Sequence, residues 1–169
     1  MRRMLDRLYF GAAILAALFL IGTLLFVLTG IVGRLVDWYV PGTDAWAGYC
    51  MAATGFLALA HTLKRGEHIR VTLVLEHLGA RAHRWLETFA ILVAAMLAIA
   101  FAYYSVRLSY QSWDFNDIST GNDATPLWIP QVSMAIGAIV FAIAMVDELV
   151  LQWLGKRVQV IPEEALHNE

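Results

Sequence analysis

A single cysteine, Cys50, in 169 residues leaves no internal disulfide and no cysteine-rich metal site to consider. Charge is scarce as well: Asp, Glu, Lys and Arg make up 15% of the chain, where soluble domains carry about 25%. No basic stripe with interleaved aromatics is present, which sets nucleic-acid binding aside. Neither a GxSxG elbow nor an HExxH pair occurs, so hydrolase chemistry has no signature and the chain reads as a non-enzyme. Long Ser/Pro/Gly linkers and internal repeats are absent too, leaving one domain with a short polar tail.

What the sequence has instead is apolar length. Hydrophobic residues are 60% of the chain, and they fall in runs long enough to cross a bilayer, for which about 20 residues suffice. The expected fold is an all-α integral membrane protein with four transmembrane helices, at about residues 8–33, 45–63, 85–110 and 127–154. The turn Val40-Pro41-Gly42-Thr43-Asp44 ends the first, because Pro and Gly break helices and Asp favours the next N-cap. Residues 1–157 form the four-span domain and 158–169 a cytoplasmic tail. Arg2, Arg3 and Arg7 precede the first run, but that run far exceeds the 7–15 apolar residues of a secretory signal core, so it reads as an uncleaved anchor.

Basic residues orient the spans. Arg2, Arg3 and Arg7, then Lys64, Arg65, Arg70, Arg81 and Arg84, then Lys156 and Arg157 fall on one side, ten of the twelve Lys and Arg; Arg34 and Arg107 are assigned to the other. Both termini and the central loop are therefore expected in the cytoplasm. Within that loop Val71, Val74, Leu75 and Leu78 recur with helical spacing, and Gly79 supplies a stop. This pattern predicts a short amphipathic helix over about 70–79, lying at the membrane interface.

Membrane helices associate through small residues, because lipid accommodates Leu as well as a neighbouring helix does. Ala90, Ala94, Ala98 and Ala102 in the third span and Ala138 and Ala142 in the fourth are the expected packing positions, against a partner in this chain or in another. The middle third of each span holds no ionisable residue, which argues against a proton-coupled exporter. His61 reads as an interfacial histidine, and facing histidine pairs for haem are missing. Asp147 and Glu148, late in the fourth span, are candidates to pair with Lys or Arg of the central loop. No span carries the Gly/Pro-interrupted half-helices that transporters use to hold substrate. No catalytic, substrate, metal or cofactor site emerges, and the chain reads as a scaffold or accessory subunit. A small membrane anchor, a redox-complex subunit or a free-standing structural membrane protein are the alternatives.

Two polar segments stand out: His68-Ile69-Arg70-Val71 after the second span, and Ser119-Thr120-Gly121 followed by Pro126-Leu127-Trp128 before the fourth. In this order, within four spans, they resemble the small membrane subunit of tripartite ATP-independent periplasmic (TRAP) transporters, the DctQ-like family. The resemblance covers the chain from Leu8 to about Leu154. It implies a small permease subunit in the bacterial inner (cytoplasmic) membrane, a multi-pass protein without catalytic residues or cofactor. Its implied partners are membrane lipid, a large elevator-type permease subunit and a periplasmic substrate-binding protein, in sodium-coupled symport of an organic acid. The acidic loop with Asp114, Asp117 and Asp123 is then a candidate docking surface for the binding protein.

Overall fold

The computed structural model describes residues 2–38, 40–65 and 80–154, with the side chains of Arg2 and of residues 80–84 left aside. Those residues form four helices: α1 (Arg2–Leu35), α2 (Thr43–Arg65), α3 (Ala80–Asp114) and α4 (Trp128–Trp153). The expected interfacial helix at 70–79, the motif His68-Ile69-Arg70-Val71 and the tail at 158–169 lie outside the described residues.

Packing sets the spatial order α1, α2, α4, α3. Helix α2 lies against α1 on one side and α4 on the other, and α4 in turn packs on α3. Three of the helices, α1, α3 and α4, are long and apolar enough to cross a membrane. Helix α2 is less apolar, and its position explains why. Flanked by two neighbours, it hides Thr43, Ala47, Cys50, Ala53, Leu57 and Ala60 in protein contacts, so fewer of its positions need to suit lipid. Helix α1, by contrast, leaves Leu18, Leu25 and Ile31 each about half exposed along its length.

The seams are built from small side chains. Between α3 and α4 the buried cluster is Ala95, Ala98, Ala102, Ala138, Ala142 and Met145. On α3 the buried stripe runs Ile91, Ala95, Ala98, Ala102, Ser105, Ser109 and Ser112, alternating steps of four and three. Ala98 and Ala102 thus sit in the seam and Ala94 flanks it, whereas Ala90 is exposed. The reason is geometric: each step of four turns about 40° past a full circle, so a run of four alanines so spaced wanders about 120° round the helix. Between α2 and α4 the approach is closer still. A Cβ on Gly137 would lie 2.6 Å from the carbonyl carbon of Phe56 and 2.7 Å from its oxygen, so backbone meets backbone there. Between α1 and α2, the Thr54 hydroxyl donates to the carbonyl oxygen of Ala16 across the seam at 3.2 Å, and Phe26 stacks on Trp46.

Helix ends differ from the sequence expectation in detail. Helix α1 stops at Leu35, ahead of the Pro41-Gly42 turn, because Asp37 adopts φ 54° and the Trp38 N–H donates to the Gly33 carbonyl at 2.9 Å. Helix α3 ends the same way: Asn116 takes φ 53° and the Asp117 N–H donates to the Ser112 carbonyl at 3.0 Å. Both are left-handed caps of the Schellman kind, using the residue types that tolerate positive φ. Asp44 lies in the first turn of α2, and the Gly42 carbonyl accepts that helix's first bond, from Trp46 N–H. Arg34 and Arg107, set apart above from the other ten Lys and Arg, lie in the last turn of α1 and well within α3.

The register of α3 against α4 gives a depth scale. Gln152 Nε2 donates to Glu87 Oε2 at 3.2 Å, so antiparallel counting places Trp128 about level with Gln111, and Asp147 about level with Leu92. These two levels are about 19 residues, or roughly 29 Å, apart, close to the roughly 30 Å thickness of a bilayer core.

Two glycine-to-alanine substitutions separate packing from propensity. Gly137→Ala drives a methyl into the Phe56 backbone and is expected to destabilise the purified protein by about 1–3 kcal/mol. Gly55→Ala, where nothing lies within 4 Å of the new Cβ, is expected to be neutral or to stabilise by up to about 1 kcal/mol. Thermal melts of both variants in the same detergent measure the contrast.

Candidate functional site

Polar groups gather at the two ends of the bundle. At the end with the interhelical loops, residues 117–127 form a small hairpin. Its base is pinned by Leu127 N–H to the Asp117 carbonyl at 2.9 Å and by Ser119 N–H to the Thr125 carbonyl at 2.8 Å, flanking an Ile118–Pro126 bridge. Pro126, which has no N–H to offer, sits where none is required. At the tip the Ser119 hydroxyl accepts from Gly121 N–H at 3.2 Å and donates to Asp123 Oδ1 at 2.9 Å. Asp123 Oδ2 accepts from the Tyr49 phenol of α2 at 3.0 Å. Gly42, at φ 80°, lies so close that a Cβ there would fall 2.7 Å from the Cβ of Asp123. The hairpin therefore clasps both the α1–α2 turn and the start of α2.

These contacts hold the Asp123 carboxyl down to about 2. The Thr125 hydroxyl beside it contributes most, although its Oγ1 forms no hydrogen bond of good geometry; burial opposes it, and Ser119 and Tyr49 add to it. The three aspartates considered as a docking loop thus separate. Asp114 and Asp117 are exposed, while Asp123 is partly covered and committed to the clasp. Thr120 and Gly121 are exposed at the hairpin tip and Trp128 opens α4. An open cleft of about 240 Å³ lies between the hairpin and the α1–α2 turn, lined by Gly30, Arg34, Trp38, Gly42, Asp44 and Gly121 among others. Across its rim Arg34 pairs with Asp44 at 3.1 Å, both side chains largely in solvent, a pair worth at most about 1 kcal/mol.

At the opposite end Lys64, the penultimate residue of α2, ion-pairs with both Asp147 and Glu148 of α4, at 2.9 Å to Glu148 Oε1. Its Nζ also lies 5.4 Å from the ring centre of Tyr9 on α1, within the range of a cation–π contact. One lysine thereby ties three helices. Asp147 and Glu148 find the basic partner anticipated for them, and it belongs to α2. His61, one turn earlier, is half-buried. Among the described residues, no three His, Cys, Asp or Glu side chains converge as a metal site would require.

Three long apolar helices, small-residue seams and charges collected at the two ends define an all-helical membrane protein. Residues 23–155 match the family described as tripartite ATP-independent periplasmic transporters, DctQ component, and the chain belongs to that family. It is a transporter component of the small-permease type. No curated protein matches the chain. The matched region includes the hairpin and both ends of the Asp123 clasp. The structure adds residues that sequence reading passed over: Tyr49 and Gly42 as the clasp's receptors, and Tyr9 beneath Lys64. The proximity of an N-terminal aromatic to residues far along the chain leaves no trace in local pattern.

The depressed Asp123 carboxyl has a pH consequence. Its folded value of about 2 lies below the ordinary 3.8, so its stabilisation is complete above that ordinary value and is lost as pH falls toward 2. Asp123→Asn is expected to lower the thermal midpoint modestly at neutral pH. Its deficit against the native chain should shrink between pH 4 and pH 2, read by melts across that range.

Proposed function

We propose that this chain is the non-catalytic small permease subunit that braces a large elevator-type subunit during sodium-coupled uptake of an organic acid delivered by a periplasmic binding protein. In this reading it crosses the inner membrane four times with both termini in the cytoplasm. Helix α2, at 23 residues about 34 Å long, is the fourth span, less apolar because protein covers two of its sides. The end with Lys64, Arg65, Arg3 and Arg7 is cytoplasmic by the positive-inside rule, and the hairpin faces the periplasm.

The observation that carries the reading is the content of the seams. Ala95, Ala98, Ala102, Ala138, Ala142 and the Gly137–Phe56 contact close the space between helices, and the ion pairs described above sit at the ends. Among the described residues, side chains that could coordinate a carboxylate substrate or sodium do not converge at mid-depth between the helices. Membership of the family supplies the transporter context, and transport chemistry then belongs to the partner. Asp114 and Asp117, exposed on the hairpin side, suit contact with a basic patch on the binding protein, a role that leaves Asp123 to the clasp.

Co-expression with the large subunit is expected to yield a stable complex on purification through a tag on this chain. Proteoliposomes should accumulate an organic acid only with both subunits, the binding protein and a sodium gradient. Uptake by this chain alone, or purification without any large multi-span protein, contradicts the reading. Asp114→Lys with Asp117→Lys should leave the complex intact while raising several-fold the binding-protein concentration needed for half-maximal uptake. An unchanged requirement removes docking from the account.

A further inference from the structure

The outward face of α3 does not look like a lipid-facing surface. Its buried stripe, through Ala95, Ala98, Ala102 and Ser109, meets α4. At 3.6 residues per turn the opposite side of its second half carries Arg107 and Gln111, flanked by Tyr103 on one side and Tyr104 on the other, with Tyr110 about 20° beyond Tyr103. Tyr103, Tyr104 and Tyr110 are 63%, 61% and 62% exposed, and Arg107 is exposed without an ion pair to any described residue.

Depth makes this face anomalous. Taking Gln111 as level with Trp128, Arg107 lies about 6 Å inside that boundary and Tyr103 about 12 Å inside, near the middle of the hydrocarbon layer. Side chains on a helix slant toward its N-terminus, which for α3 is the far end, so Arg107, Tyr103 and Tyr104 lean deeper and away from the nearer headgroups, whereas Tyr110, about 1.5 Å inside the boundary, lies at interfacial depth. A cation and phenol hydroxyls in this position find no partner in acyl chains, and intramembrane ionisable groups characteristically face protein or water. The face of α1, with Leu18 and Leu25, has no such groups.

We propose that the outward face of α3 from Tyr103 to Asp114 is the surface on which a membrane helix of the large permease subunit docks, presenting a carboxylate to Arg107 and hydrogen-bond acceptors to the tyrosines. This rests on the small-subunit reading above. A second copy of this chain is a poor occupant. Two copies share one membrane orientation, so a twofold axis along the membrane normal sets Arg107 against Arg107 at equal depth. A lipid phosphate is too shallow to reach Tyr103. Arginine also suits the role chemically, since its planar fork pairs with carboxylate in two parallel hydrogen bonds and stays charged when desolvated.

The test uses the assembled complex in native membranes. A photoreactive benzoyl-phenylalanine replaces Tyr104 or Tyr110 in one set, and Leu18 or Leu25 of α1 in another. Tyr104 and Tyr110 are expected to cross-link to the large subunit, and Arg107→Leu should reduce recovery of the complex at least tenfold. Arg107→Lys should recover part of the loss, while the thermal midpoint of the isolated Arg107→Leu chain stays at or above that of the parent. Cross-links from the α3 positions only to lipid or to a second copy, in membranes where the complex forms, overturn the proposal while sparing the subunit reading. If no large subunit co-purifies even with the parent chain, the subunit reading itself fails. A drop in the isolated variant's thermal midpoint equal to the loss of complex reassigns Arg107 to the fold and also overturns the proposal.

Discussion

Lipid offers an apolar side chain the same surroundings as another helix does, so the hydrophobic effect that drives soluble folding contributes little once the helices are in a bilayer. Association must come from closeness. Where Gly137 passes the Phe56 backbone and where Ala95, Ala98 and Ala102 meet Ala138 and Ala142, the helix axes approach to a distance that larger side chains forbid. Dispersion then acts over many atom pairs, and the rest of the architecture follows from that approach. Large apolar side chains are displaced outward, which is why Leu and Ile dominate the exposed surface of α1 and why aromatic side chains join them on α3. Helix α2, held between two partners, can carry Thr54 and a less apolar composition without meeting lipid on every side.

The two ends solve different problems. At one, Lys64 reaches Asp147, Glu148 and the ring of Tyr9, joining α1, α2 and α4 through one cation. The side chains are partly covered, so the attraction is screened less than at an open surface, while desolvation offsets part of it. At the other end backbone geometry does most of the work. Two left-handed caps, at Asp37 and Asn116, turn the chain out of its helices, and a short hairpin carries Asp123 back onto Tyr49. The segment Ser119-Thr120-Gly121 with Pro126 acquires a physical meaning here. Ser119 organises the hairpin tip, Gly121 supplies an N–H to it, and Pro126 sits at a base position needing no donor.

Much of this was legible beforehand, and the misses are instructive. Helix positions follow from apolar length, a property summed along the chain. Azimuth does not: within this chain Ala95 is buried in the seam and Ala90 is exposed, a choice that spacing by four does not make. The turn chemistry of Pro41-Gly42 was visible; that α1 runs to Leu35, two residues past the expected 33, and ends there because Asp37 adopts positive φ at little cost, was not. Arg107 was read only for the side of the membrane its charge indicates, although it falls inside the expected span 85–110; that it faces outward, about a turn inside the level of Trp128, came from register against α4.

Residue order by itself determined that this is a helical membrane protein, where its helices lie, and that charge gathers at their ends, because transfer into hydrocarbon depends on composition over about 20 residues. The family was legible from residue order as well, and its model matches over residues 23–155. Tertiary structure alone decided which alanines form seams, that Tyr49 and Gly42 receive Asp123, and that Tyr103 and Arg107 face outward. Those facts depend on rotation about each helix axis and on register between helices, and only the contact of one backbone with another sets either.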